Sequence, residues 1–260
     1  ERLPTVRKVV VVPYLDPDVD VSDVPKAVRL DEWLRRYMPG DIAYAQLPFT
    51  HPVFILFSSG TTGKPKCIVH GAGGTLLQSL KTFKLHFDVR PGDRFFYFCT
   101  TNWVVWNVMF SGLCSETALM LYDGSPFARN AKMLFDFAEK ERFTHFGTSA
   151  KFLDALAKRG LRPIDSHQLP ELRMIISTGS PLAPESFDYV YNNVKKDVCL
   201  SSISGGTDIM GAFVDASAVL PVYRGELQTR SLGMAVEVFD ENGESVVGEK
   251  GELVCTKPFP

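Results

Sequence analysis

The densest collection of chemistry-bearing residues is Phe57-Ser58-Ser59-Gly60-Thr61-Thr62-Gly63-Lys64-Pro65-Lys66. It holds four hydroxyl side chains, two glycines and two lysines, directly after an apolar run, Val53–Phe57, that reads as a buried strand. Glycines let successive backbone N–H groups converge on an anion, and hydroxyls add further donors. Lysines add the charge that suits phosphate. A solvated turn is the plainer alternative, but so many donors after an apolar strand favour phosphate binding. The loop is not a Walker A motif. Ser58 stands where the first glycine belongs, and Pro65 stands where a hydroxyl must hold magnesium. That excludes a P-loop kinase or ATPase.

Other groups are less specific on their own. Thr207-Asp208 is a pair of the kind that caps helix N-termini. Gly179-Ser180-Pro181 reads as a turn before a helix opening at Pro184. The five histidines show no metal-ligand spacing, and His70, which follows the loop, is given a structural role. Cys67 has no legible base partner, as a thiol nucleophile would need. Trp106 is read as core packing.

These residues need a scaffold, and the pattern supplies one. Apolar runs at Val9–Val12, Val53–Phe57, Phe95–Cys99, Thr117–Tyr122 and Arg173–Ile176 alternate with helix-like stretches. Leu76, Leu80, Phe83 and Phe87 make one helical stripe, and Met133, Leu134, Phe137 and Ala138 another. Pro184–Asn193 reads as a helix. The alternation predicts an α/β fold, with a parallel-sheet core and crossover helices. After Gly205 the pattern changes. Val236–Phe239, an Asn242-Gly243 turn of type I′ and Glu252–Cys255 predict an antiparallel hairpin. The expected division is therefore an α/β part over about 1–204 and the start of a β-rich part over about 205–260. Val9–Val12 has no domain start before it, and the strand at Glu252 simply stops at Pro260, so the chain reads as an excised piece of a larger one.

Composition bounds the partners. The 260 residues are 45% hydrophobic and 22% charged, enough for a sizeable core. Lys and Arg number 28 against 30 Asp and Glu, a net charge of -2. Nothing in that balance calls for nucleic acid or an anionic membrane. Five scattered cysteines without a CxxC pair argue against a disulfide framework or structural zinc, and for a reducing compartment. No apolar run reaches the roughly 18 residues of a membrane span.

The loop resembles the phosphate loop of the adenylate-forming superfamily, whose signature is Ser/Thr-Gly-Thr-Thr-Gly-x-Pro-Lys. That superfamily includes acyl-CoA synthetases, luciferases and peptide-synthetase adenylation domains. The resemblance continues in family order through Val69-His70-Gly71-Ala72-Gly73-Gly74, Arg90-Pro91-Gly92-Asp93 and Trp103. It extends to Thr178-Gly179-Ser180-Pro181-Leu182, Gly205-Gly206-Thr207-Asp208 and Gly251-Glu252-Leu253. Phe146–Lys151, Leu121–Pro126, Gly206–Ile209 and Pro221–Glu226 are similar to the acetoacetate-activating branch of the acyl-CoA synthetases.

The resemblance implies a two-step ligation. A carboxylate attacks the α-phosphorus of ATP, then the coenzyme A thiolate displaces AMP. The implied substrates are acetoacetate, ATP and coenzyme A, with Mg²⁺ as cofactor and the cytosol as compartment. Ser58, Ser59, Gly60, Thr61, Thr62 and Gly63 would hold the β- and γ-phosphates, with Lys64 or Lys66 adding charge. Gly179, Ser180 and Pro181 would lie against adenine. Thr207 would donate to the α-phosphate and Asp208 would hold Mg²⁺, although most relatives carry Glu there. Ser204 replaces an aromatic that often stacks on adenine. Trp103, Val104, Val105, Thr148, Ser149, Thr178 and Gly205 would line the acyl pocket, a hydroxyl of Thr178 or Ser149 donating to a β-keto oxygen. Gly205 stands where acetyl-specific relatives place a Trp that closes the pocket, so a longer acid is expected to fit. The family's ribose-binding Asp, its adenylation Lys and its small C-terminal domain would lie outside this chain. The competing readings are a ligase for another medium-size or aryl acid, a non-catalytic nucleotide-binding regulatory protein, and a structural fragment whose loop is only a turn.

Overall fold

The computed structural model describes residues 4–58 and 63–259. The chain divides into two compact units, with the boundary between Gln46 and Leu47. In the first, strand β1 (Val9–Val11) pairs in parallel with β2 (Ala27–Arg29), and the short helix α1 (Leu30–Leu34) follows. Val9–Val11 is only half-covered and Val12 is exposed, so the run expected as a buried strand is a short, partly solvated one.

The second unit opens with an antiparallel hairpin, β3 (Pro52–Ser58) against β4 (Lys66–Gly71). The strand before the glycine-rich loop is not buried. Among the described residues its sheet has only these two strands, and the side chains of Val53, Ile55 and Phe57 are exposed. Helix α2 (Ala72–Lys81) follows and runs into a π-helical turn over Thr82–His86. Its buried face differs from the predicted stripe. Phe83 and Phe87 are buried, but Leu76 is exposed, while Thr75, Gln78, Ser79, Thr82 and His86 turn inward. This helix therefore presents polar side chains to the interior, and those groups must find partners there.

A five-stranded parallel sheet forms the core. Its strands are β5 (Arg94–Tyr97), β6 (Ala118–Met120), β7 (His145–Ser149), β8 (Met174–Thr178) and β9 (Cys199–Ser202), in the spatial order β6-β5-β7-β8-β9. The helices between them are α3 (Val104–Ser111), α4 (Ala128–Ala131), α5 (Met133–Lys140), α6 (Ala150–Lys158) and α7 (Pro184–Tyr189). The predicted parallel α/β architecture is what forms. Alternation along the strands feeds two cores. Phe96, Phe146, Ile175 and Leu200 face one, with Leu134, Phe152 and Phe187 from the helices. Phe95, Tyr97, Met174 and Ile176 face the other, with Phe83, Phe87 and Met109. Burial on both faces is why these strands read as continuous apolar runs.

The chain passes from β5 to β6 on one side, then crosses to β7 on the other side of β5. Ligands in such sheets sit outside the carboxyl ends of the strands at this reversal. Beyond β9 the structure turns antiparallel. β10 (Ser204–Gly206), β11 (Gly211–Asp215) and β12 (Thr229–Arg230) form one sheet, and β13 (Val236–Phe239) pairs with β14 (Glu252–Cys255) in another. The predicted pairing of these last two strands is present, but the Asn242-Gly243 turn does not join them directly. It closes a local reversal between Phe239 and Ser245. Gly243 has φ +82°, its N–H donates to the Asp240 carbonyl at 3.1 Å, and Asn242 keeps negative φ. A type I′ turn needs positive φ at both central residues, so this is a type I turn followed by a left-handed glycine. Among the described residues no helix is long and apolar enough to cross a membrane.

Candidate functional site

At the carboxyl ends of β5, β8 and β9 two cavities share a wall. The first, about 260 Å³, is bounded by Tyr97 at the end of β5, by Trp103, Val104 and Val105 opening α3, and by the inward face of α2. The second, about 400 Å³, lies against Gly179, Ser180, Pro181 and Leu182 after β8. Thr178, Gly179, Ile203 and Gly205 line both. A group bound in one therefore meets a group bound in the other across a single layer of backbone.

Gly179 shows why small residues stand at this wall. Its φ is +93°, and a Cβ there would lie 3.1 Å from Cη2 of Trp103. Only glycine takes that backbone conformation at no cost while leaving room for the indole. Tyr97 reaches over β7 because Gly147 carries no side chain; a Cβ there would fall 2.0 Å from the Tyr97 ring. The Tyr97 hydroxyl donates to the Thr148 carbonyl at 3.0 Å, and burial pushes its pKa up.

Thr207 and Asp208 do not cap a helix. They begin the turn from β10 to β11, which Met210 closes at φ +48°. Thr207 lines the first cavity. Asp208 is exposed and lines a smaller adjoining cleft with His70, Gly71, Gly74 and Gln78. The His70 ring Nε2 lies 2.8 Å from the Thr207 carbonyl and donates to it. His70 ties β4, the strand that follows the glycine-rich loop, to the Thr207 turn. Among the described residues no three carboxylates, histidines or cysteines gather as a metal site. Magnesium commonly takes one or two carboxylates together with substrate phosphate oxygens, and the lone Asp208 carboxylate fits a metal that arrives with a nucleotide.

The remaining expected site residues divide. Ser58 ends β3 opposite Lys66, Gly63 has φ +132°, and Lys64 and Lys66 are exposed. None of these four lines either cavity. Ser59, Gly60, Thr61 and Thr62 lie outside the described residues. Trp103, Val104, Thr178 and Gly205 come together around the first cavity; Thr148 and Ser149 do not. Thr148 has the parity of Phe146 and so projects to the opposite face of the sheet. Ser149 caps α6, its Oγ accepting from the Phe152 N–H at 3.2 Å. The Thr178 hydroxyl donates to the Ile203 carbonyl at 3.1 Å, so its proton is already used.

At Gly205 the close approach of β11 is itself a reason for glycine. A Cβ at this position would lie 2.0 Å from the Gly211 carbonyl oxygen and 2.7 Å from the Ala212 Cα. A side chain here meets the backbone of β11 before it reaches the cavity. Sequence reasoning missed the inner wall altogether. Gln78, Ser79 and Thr82 of the α2 face, and Asp215 at the end of β11, all line the first cavity. Asp215 is fully buried, and burial pushes its carboxyl pKa up against the pull of nearby His86 and Lys81. Burial in turn pushes the Lys81 ammonium down. No local signal marks this wall: a polar face at Thr75, Gln78, Ser79 and Thr82 reads from the sequence as the solvent side of a helix.

Two cavities that share a wall at the carboxyl ends of a parallel sheet are the place where such folds hold small-molecule ligands. The chain belongs to the AMP-binding enzyme family, whose model matches residues 2–259. It is 52% identical over 252 residues to the acetoacetyl-coenzyme A synthetase of Rhizobium meliloti (strain 1021), covering 96% of this chain and 39% of that protein. It is 47% identical over 263 residues to the acetoacetyl-CoA synthetase of Mus musculus, covering 99% of this chain and 39% of that one. Among solved structures, the acetoacetyl-CoA synthetase from Streptomyces lividans superposes with a TM-score of 0.90 at 39% identity, over 100% of this chain and 40% of that chain. The chain spans well under half the length of these relatives.

Proposed function

We propose that this chain is the acid-activating part of an ATP-dependent ligase that joins acetoacetate to coenzyme A through an acetoacetyl-AMP intermediate. The supporting observation is the shared wall. An acid in the apolar cavity and a nucleotide in the cavity beside Gly179, Ser180 and Pro181 would be separated by Thr178, Gly179, Ile203 and Gly205 alone. Thr207, two residues beyond Gly205, lines the first cavity, and its hydroxyl would donate to the α-phosphate as charge builds there. The carboxylate oxygen bonds to the α-phosphorus and pyrophosphate leaves. In the second step the thiolate sulfur bonds to the acyl carbon and AMP leaves.

The glycine-rich loop from Ser58 to Gly63, with Lys64 or Lys66, would neutralise the departing phosphates, and Asp208 would hold Mg²⁺ on them. Two anions must approach each other in the first step, so this charge neutralisation is the main task of the site. We assign the α/β part to about 1–204 and the start of the β-rich part to about 205–260, and place the protein in the cytosol.

The test is acid-dependent ATP–pyrophosphate exchange by the full-length protein with acetate, acetoacetate, butyrate and octanoate. Acetoacetate should lead. Another acid in the lead would keep the chemistry and change the substrate. Nucleotide binding without exchange for any acid would leave a regulatory nucleotide-binding protein.

A further inference from the structure

Of the hydroxyls expected to meet a second carbonyl of the acid, Thr178 gives its proton to the Ile203 carbonyl and Ser149 lines neither cavity. Some other group must then distinguish an oxo acid from an alkyl acid of the same length. The cavity wall can be searched by elimination. The Tyr97 hydroxyl donates to the Thr148 carbonyl, and that of Thr82 lies 3.4 Å from Asp215 Oδ2. Asp215 accepts from Ser231 Oγ at 3.2 Å and from the Ala216 N–H at 3.0 Å. Gln78 Oε1 accepts from Lys81 Nζ at 2.6 Å, which fixes the amide orientation, and its Nε2 faces Met234 Sδ at 3.6 Å.

Three lining donors remain without a side-chain partner among the described residues: Thr207, which the proposed reaction uses at the phosphate, the Trp103 indole, and Ser79, the hydroxyl left on the α2 wall. It lies in the middle of α2, is 3% exposed and lines the cavity. A helical serine commonly returns its proton to the carbonyl four residues back, as Ser111 does to Asn107 at 2.9 Å. Ser79 makes no side-chain hydrogen bond among the described residues. Ser115, Thr148, Ser177 and Ser201 also lack partners but line neither cavity. A Cβ on Gly211 would lie 3.5 Å from Gln78 Oε1, and Gly211 pairs with Gly206, the neighbour of Thr207. Gln78, the residue before Ser79, therefore flanks the turn where the acid's carboxylate would react.

The geometry points to Ser79 Oγ as the hydrogen-bond donor that selects an acid bearing a carbonyl oxygen one methylene beyond its carboxylate over the alkyl acid of equal length. This rests on the proposed function and names the residue that sets its specificity. In the apolar cavity a lone hydroxyl loses its water and gains nothing from an alkyl chain. A carbonyl oxygen restores the bond. Discrimination by a polar group left unpaired far exceeds what cavity shape alone can give.

The experiment measures kcat/KM of ATP–pyrophosphate exchange for acetoacetate and butyrate in the full-length protein and in Ser79→Ala, Ser79→Thr and Gln78→Met. The native protein should prefer acetoacetate. Ser79→Ala should lower acetoacetate turnover by about 10- to 100-fold while butyrate changes less than about 3-fold, collapsing the preference. Ser79→Thr should restore most of it. Retained butyrate activity shows that the variant folds. An unchanged preference in Ser79→Ala overturns the assignment, as does an equal loss on both acids, or a preference that falls only in Gln78→Met. Should the native protein exchange with neither acid, the proposed function fails, and this inference falls with it. A native protein that uses both acids equally keeps the adenylation chemistry and overturns Ser79 alone.

Discussion

Gly205→Ala, a single added methyl, tests how the site is held. The new Cβ would fall 2.0 Å from the Gly211 carbonyl oxygen, short by about 1 Å of the 3.0 Å that Cβ contacts respect. Its other near neighbours, Ala212 Cα at 2.7 Å and Gly211 C at 2.9 Å, are backbone too. No side chain can swing aside, so β10 and β11 must part. The hairpin is held by three residue pairs, Ser204 with Val214, Gly205 with Ala212, and Gly206 with Gly211. Overpacking of this kind costs about 1–3 kcal/mol. Loss of a ladder hydrogen bond adds about 1 kcal/mol. Opening of β11 should thus become easier by about 2–4 kcal/mol, which is roughly a 30- to 1,000-fold loss of amide protection. Hydrogen exchange of the full-length protein, read on peptides covering 211–215, measures this directly. Pyrophosphate exchange should fall as well, because Thr207 sits in the turn these strands close. Unchanged protection over 211–215 with unchanged exchange kinetics would refute the packing at Gly205. The same clash means that Gly205→Trp is a test of hairpin displacement first and of pocket length second.

Further outcomes can be checked alongside it. Gly179→Ala forces a side chain onto φ +93° and against Trp103, so it should destabilise by about 1–2 kcal/mol and weaken both acid and nucleotide use. Asp208→Asn should cut exchange by about 10- to 100-fold and raise the Mg²⁺ concentration needed for half-maximal rate, with nucleotide-free stability unchanged. Acidification should destabilise the parallel sheet. Burial pushes the His145 pKa below its usual 6.5, and its Nε2 donates to the Phe87 carbonyl at 2.7 Å. The unfolded imidazole therefore takes a proton before the folded one does. Stability present above pH 6.5 should fall as pH drops below it, by up to about 1.4 kcal/mol per pH unit, and less in His145→Gln. A second loss should begin below about pH 3.8. Burial works against the Asp93 carboxylate, yet the Arg173 fork at 2.6 and 3.1 Å and the Arg90 N–H hold its pKa below the usual value. Denaturant unfolding at pH 7, 5.5 and 3.5 reads both steps, and a flat response from 7 to 5.5 would refute the His145 account.

The sequence by itself determined the parallel sheet, because strands covered on both faces must be apolar at successive positions, as Phe95-Phe96 and Ile175-Ile176 are. It also determined where the glycine-rich loop and the Thr-Asp pair stand along the chain, since these depend on residue types and local spacing. It did not determine facing. A two-residue period puts Thr148 behind the sheet and Thr178 before it, and only the register with β5 shows which side holds the cavity. It misled at α2, where the leucines at 76 and 77 are exposed and Gln78, Ser79 and Thr82 point inward. The apolar stripe there gave way to the demand for partners by Asp215 and the Ala216 carbonyl, which Thr82 and His86 meet from across the fold. Hydrogen bonds between groups more than a hundred residues apart carry no signature in either local stretch. The inner wall of the first cavity was therefore decided by tertiary structure alone.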